Sequence, residues 1–113
     1  VVTDTPLNEQ VALITGASSG IGSAVARSLA RAGAAVCLAA RRADRLEALA
    51  REIEADGGRA LAQVTDVTRR DEVEALASRA LDVHGRIDIL VNNAGVMPLS
   101  PLEKLRVEDW NRM

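Results

Sequence analysis

The chain has 113 residues, 48% hydrophobic and 27% charged, with a formal net charge of -2, which suits one domain or part of one. That near-neutral balance gives no electrostatic reason for a nucleic-acid or anionic-membrane partner, and no apolar run approaches the ~20 residues a membrane span needs. The single cysteine, Cys37, cannot form an internal disulfide and reads as a small buried strand residue in a reducing, cytoplasmic setting.

Val1 to Gln10 is polar, carries Asp4 and Pro6, and does not read as a secretory signal. Val11 to Ile14 is a short apolar run with the pattern of a buried strand. Three glycines separated by small residues follow, and a helix is expected from Gly20 to Ala32, with Ile21, Ala24, Val25, Ser28, Leu29 and Ala32 as its apolar stripe. Gly33 reads as the stop of that helix. Ala34 to Ala39 is the second strand, followed directly by Arg41 and Arg42. Leu46, Leu49, Ala50 and Ile53 mark a second helix ended by Gly57-Gly58. Ala60 to Val64 is the third strand and leads into Asp66-Val67. Thr68 with Asp71 resembles a capping box opening a third helix, whose stripe is Val73, Leu76, Ala77, Ala80, Leu81 and His84, closed by Gly85. Ile87 to Val91 is the fourth strand, and Asn92-Asn93-Ala94-Gly95 follows it. A Pro-bearing loop from Val96 to Pro101 and the start of a fourth helix around Glu108-Asp109-Trp110 complete the chain.

Alternation of strands and helices argues for an α/β fold with a parallel sheet covered on both faces. Right-handed crossovers and the glycine turn on the first strand give strand order 3-2-1-4. The fourth strand would then sit at the middle of a doubly wound sheet, so residues 1–113 are expected to be the first half of a larger single domain.

Ligands of such sheets bind beyond the carboxyl ends of the strands. Here those ends are Thr15–Gly22, Ala40–Arg42, Asp66-Val67 and Asn92–Gly95, all polar, charged or glycine-bearing behind apolar strands. A strand, a glycine turn and a helix aim backbone N–H groups and the positive helix end at a phosphate. A dinucleotide fold that binds NAD often places a carboxylate after the second strand; Ala40 stands there instead, with Arg41 and Arg42 next. A guanidinium pairs with a 2′-phosphate where a carboxylate would repel it, which favours NADP(H) over NAD(H). Arg42 alone also reads as part of a solvated helix entrance. Asp66 has two readings, a carboxylate receiving an adenine amino group or a turn residue before a helix. Asn92 and Asn93 read as ligand contacts or as a buried amide pair, Asn92 the more structural and Asn93 nearer the ligand. His84 reads as a structural or surface residue at a helix end. Cys37 and His84 have no metal-ligand spacing, so no metal is expected.

Thr15-Gly16-Ala17-Ser18-Ser19-Gly20-Ile21-Gly22 resembles the TGxxxGxG fingerprint of the short-chain dehydrogenase/reductase family. Asn92-Asn93-Ala94-Gly95 resembles its NNAG motif, and Asp66-Val67 its adenine-contact pair. The resemblance runs from about Val11 to Met113. It implies a Rossmann-type fold and hydride transfer between NAD(P)(H) and a carbonyl/alcohol pair. It also implies that Gly16, Ser18, Ser19, Gly20 and Ile21 hold the phosphates and adenosine ribose, and that Arg41, flanked by Arg42, reads the 2′-phosphate. Asp66 and Val67 would flank the adenine, and Asn93, Ala94 and Gly95 the ribose side. A homo-oligomer, dimer or tetramer, is implied for the full-length protein.

The same resemblance implies a catalytic Ser, a Tyr and Lys four residues apart, and an Asn on the fourth helix. The sequence has no tyrosine; Ser100 and Lys104 follow the NNAG motif too soon, and Asn111 matches a variable position. No catalytic residue is therefore assigned, and these groups are expected beyond Met113. The main alternative is a non-catalytic module that binds or senses NADP(H). A methyltransferase would usually want an acid after the second strand, and a P-loop phosphotransferase would need Gly-Lys-Ser/Thr after the glycines. Apolar Val96, Met97, Pro98 and Leu99 hint at a medium-sized organic carbonyl compound as substrate.

Overall fold

Unbroken apolar runs in the first two strands require a sheet covered on both faces, and the fold follows from it. The structure, a computed structural model, describes residues 7–93. Its elements are β1 (Val11–Thr15), α1 (Gly20–Arg31), β2 (Ala35–Ala40), α2 (Ala43–Ala55), β3 (Arg59–Val64), α3 (Arg70–His84) and β4 (Ile89–Asn92). The four strands form one parallel sheet in the order β3-β2-β1-β4, as the sequence predicts. The expected motifs and elements at Ala94-Gly95, Val96–Pro101 and Glu108–Trp110 lie outside the described residues.

Every residue of β1 and β2 is buried, and their side chains alternate between two cores. Val11, Leu13, Ala35, Cys37 and Ala39 meet Val73, Leu76, Ala77 and Ala80 of α3 on one face. Ala12, Ile14, Val36, Leu38 and Ala40 meet Ala26 of α1 and Leu46, Leu49, Ala50 and Ile53 of α2 on the other. Each large aliphatic side chain so buried contributes about 1.5–3 kcal/mol relative to exposure. The stripes expected for α2 and α3 therefore face the sheet, with Leu81 and His84 half-buried.

Two expectations are corrected. The stripe expected for α1 is rotated by one residue. Ile21 is 71% exposed, Ala24 and Ser28 are exposed, and the buried positions are Gly22 and Ala26, with Leu29 and Ala30 packed beside them. Close approach of helix to sheet selects the smallest side chains there, so the inward face is not the most hydrophobic one. The second correction concerns the start of α3. Its N-cap is Arg69, without a side-chain cap bond, and Thr68 turns back to Asp66 instead of capping the helix. Asp66, two residues upstream, captures the Thr68 hydroxyl in a local turn. Glu72 takes over the reciprocal task and accepts the Asp66 N–H at 2.9 Å.

Strand limits differ from expectation by one or two residues. β4 starts at Ile89 because Asp88 uses its side chain at that level: Oδ2 accepts the Val11 N–H at 2.8 Å, while the Asp88 N–H donates to the Val11 carbonyl at 2.9 Å. Arg86 holds the same carboxylate, with its closest contact at 2.6 Å.

Candidate functional site

The register levels the strand ends. Thr15 is paired with Ala39 on one side and Asn92 on the other, and Ala40 with Val64. The residues that follow (Gly16, Arg41, Thr65-Asp66 and Asn93) therefore emerge at one end of the sheet. A crevice of about 490 Å³ opens there between Gly16 and Ser18, Ala40 to Arg42, and Thr65, Val67 and Thr68.

The glycine turn is built on Gly16, whose φ of 63° lies in the left-handed region. The Ala17 N–H donates to the Ala39 carbonyl at 3.1 Å, and the Ser19 N–H to the Gly16 carbonyl at 3.1 Å. Ser19 is the N-cap of α1. Its hydroxyl donates to the Gly16 carbonyl at 2.9 Å, accepts the Gly22 N–H at 3.1 Å and accepts from Asn93 Nδ2 at 2.8 Å. All of its hydrogen-bonding capacity is committed to the turn. At Gly22 a Cβ would press into the Gly16 carbonyl oxygen and lie 2.9 Å from Asn93 Nδ2, so helix and strand touch there.

Gly20 is different. An added Cβ would meet no heavy atom within 4 Å, so no packing among the described residues demands glycine. The N–H groups of Gly20 and Ile21, at the first two positions of α1, make no hydrogen bond to any described residue, as the geometry of a helix start requires. N–H donors with no partner among the described residues, at the positive end of a 12-residue helix, suit an anionic group such as a phosphate.

Asn92 and Asn93 both make hydrogen bonds that join β4 to the end of β1. The buried Thr15 hydroxyl points at Asn92 Oδ1, 3.2 Å away, and at the Val91 carbonyl at 3.4 Å, and it accepts the Asn93 N–H at 3.1 Å. The Asn93 side chain then donates to the Gly16 carbonyl at 3.3 Å as well as to Ser19. Asn93 thus ties the end of β4 to the glycine turn, 77 residues away in sequence. Thr15 was not among the expected site residues, although it is the hub of this knot. A hydroxyl at the last position of an otherwise aliphatic strand was the available signal.

The other wall carries charge. Arg41 Nη2 and Asp66 Oδ1 are 3.0 Å apart, joining the end of β2 to the end of β3. The same Oδ1 accepts the Thr68 N–H at 3.0 Å and the Thr68 hydroxyl at 2.6 Å. Those two bonds, with Arg41 behind them, lower the Asp66 pKa to about 2, so the carboxylate is ionised throughout the physiological range. Arg42, the N-cap of α2, is exposed and pairs with Asp44 at 3.6 Å while also lining the crevice. Val67 is buried in the α3-side core. Ser18 is half-buried at the crevice edge. Ala94 and Gly95 lie outside the described residues.

Cys37 and His84 take no part. Cys37 is buried in β2, where desolvation raises its pKa to about 11. His84 ends α3 beside Arg59 at the start of β3, at the opposite end of the sheet, and burial followed by the Arg59 charge lowers its pKa.

The family model described as short chain dehydrogenase matches residues 10–113. An uncharacterized oxidoreductase of Listeria monocytogenes is 44% identical over 107 residues, 95% of this chain and 43% of the relative. A 3-oxoacyl-[acyl-carrier-protein] reductase of Synechocystis is 45% identical over 107 residues, 94% of this chain and 43% of the relative. The chain thus spans less than half the length of these relatives. A solved metagenomic short-chain oxidoreductase in complex with NADP is similar with a TM-score of 0.74 and 46% identity, over 92% of this chain and 48% of that one.

Proposed function

Given that this chain belongs to the short-chain dehydrogenase family, we propose that its crevice binds NADP(H), in preference to NAD(H), and that the protein is an oxidoreductase acting on a small carbonyl/alcohol substrate. The observation that carries the cofactor preference is Arg41. It stands at the crevice rim directly after Ala40, which leaves no carboxylate there to repel a 2′-phosphate and puts a guanidinium beside it to pair with one.

In this reading the Gly20 and Ile21 N–H groups receive the pyrophosphate, and Gly16 and Ser18 form the wall along which it lies. Ser19 acts by holding the turn. Arg41 takes the 2′-phosphate with Arg42 beside it, Asp66 and Val67 flank the adenine, and Asn93, Ala94 and Gly95 line the ribose side. When bound, the dinucleotide supplies or accepts the hydride at its nicotinamide. The proton for the substrate oxygen belongs to the Ser, Tyr and Lys implied by the family resemblance, none of which is assigned in this sequence. Membership of the family, together with a solved relative in complex with NADP, supports this reading.

The test is the dissociation constant of NADPH and NADH, measured by nucleotide fluorescence on the full chain and on its Arg41→Asp variant. Charge-assisted hydrogen bonds are worth ~1.5–3 kcal/mol, so NADPH affinity should fall about tenfold to a hundredfold while NADH is far less affected. An unchanged preference would overturn the role of Arg41.

A further inference from the structure

Resting on the cofactor reading above, we propose that Arg41 and Asp66 form a latch at the rim of the crevice. A ligand 2′-phosphate opens it by taking Arg41, and the freed Asp66 then becomes the stronger acceptor for the ligand's 6-amino group. The two recognition events, at the ribose and at the base, are therefore cooperative.

The geometry carries this in three steps. First, the pair sits at the rim of the crevice: Arg41 follows β2 and lines it, Asp66 follows the neighbouring β3 between the lining residues Thr65 and Val67, and the two are 3.0 Å apart. Second, Asp66 is anchored independently of Arg41. The Thr68 N–H and hydroxyl hold Oδ1, and Glu72 holds the Asp66 N–H, so the carboxylate stays in place when the arginine departs. Third, among the described residues Arg41 pairs with Asp66 alone, and its side chain is 68% exposed. It is the movable half of an anchored pair.

The electrostatics set the sign of the coupling. A carboxylate paired with a guanidinium is a weaker acceptor than the same carboxylate alone, because the cation already satisfies part of its field. A phosphate ester is a doubly charged competitor for the guanidinium. Once the arginine has moved to the phosphate, Asp66 regains its full charge toward the adenine edge. A ligand without the phosphate leaves the latch closed and gains less from its amino group. The coupling is reciprocal: the amino group also improves the binding of the 2′-phosphate.

The experiment is a four-ligand cycle on the full chain: NADP, NAD, and the two counterparts carrying hypoxanthine, a 6-oxo base, in place of adenine. Affinities are measured by competition against NADPH. The preference for adenine over hypoxanthine should be about threefold larger in the phosphorylated pair than in the unphosphorylated pair, the size expected for exchanging an exposed ion pair. In Asp66→Asn, which keeps an acceptor for Thr68 but removes the charge that holds Arg41, the two preferences should become equal. Equal preferences in the unmutated protein, or a difference that survives in Asp66→Asn, would overturn the latch while leaving cofactor binding standing. Failure of all four nucleotides to bind would overturn the cofactor reading and the latch with it.

Discussion

Asp66 is held by short-range bonds and used over a long range, which makes it the residue whose titration is most informative. Its carboxyl pKa falls from an ordinary 3.8 to about 2, first through the Thr68 hydroxyl and amide and then through Arg41. A folded-state pKa below the unfolded one means that the ionised carboxylate stabilises the fold above the unfolded value, and that this contribution disappears as pH falls through the folded value. The melting-temperature difference between the unmutated chain and Asp66→Asn should therefore be steady above about pH 4 and shrink toward zero near pH 2. A difference that persists undiminished at pH 2 would mean that Asp66 acts through shape and not through charge.

The glycine turn shows how one short element serves two masters. Gly22 is required by the protein, since its missing Cβ is where α1 meets the Gly16 carbonyl, whereas Gly20 faces open space. The two substitutions should separate cleanly. Gly22→Ala should destabilise the fold by about 2–3 kcal/mol, because backbone must shift to admit the methyl group, and this is read as a lower urea midpoint. Gly20→Ala should leave that midpoint nearly unchanged but weaken NADPH binding about tenfold, by crowding the phosphate approach. If Gly20→Ala binds NADPH normally, the phosphate does not lie in front of α1. The rotated face of α1 has the same origin: an element that must come close to a sheet is selected for small residues at the contact, Gly22 and Ala26, not for hydrophobicity.

Across the whole molecule, two cores share one sheet, and β1 and β2 are the strands buried from end to end. Cys37 sits in the centre of β2 with its pKa raised to about 11 by burial, so neither access nor ionisation favours reaction in the native state. Alkylation of Cys37 at pH 8 should occur only through global opening, with a rate that rises with urea as the unfolding equilibrium does. Rapid labelling without denaturant would show that the β2 core opens locally.

Much of the architecture was legible in the chain because it is encoded by local repeats. Apolar runs of strand length, three- and four-residue stripes on α2 and α3, glycines at helix ends and the turn after β1 are all short-range signals, and the rules of handedness turn them into the order β3-β2-β1-β4. That the ends of β1, β2 and β3 come together around the crevice follows from that order alone. Left to the tertiary structure were the facts that depend on partners distant in sequence: the face α1 presents to the sheet, the Thr15–Asn92–Asn93–Ser19 knot across more than 70 residues, the Asp88 clamp on Val11 and the Arg41–Asp66 pair. Thr68 illustrates the boundary. Its spacing to Asp71 matched a helix cap, but Asp66 lay closer in space and took the hydroxyl. Periodicity determines which residues turn inward over a few turns of chain, whereas only the assembled sheet decides which polar groups meet, because hydrogen bonds and ion pairs are settled by distances of about 3 Å that no local pattern records.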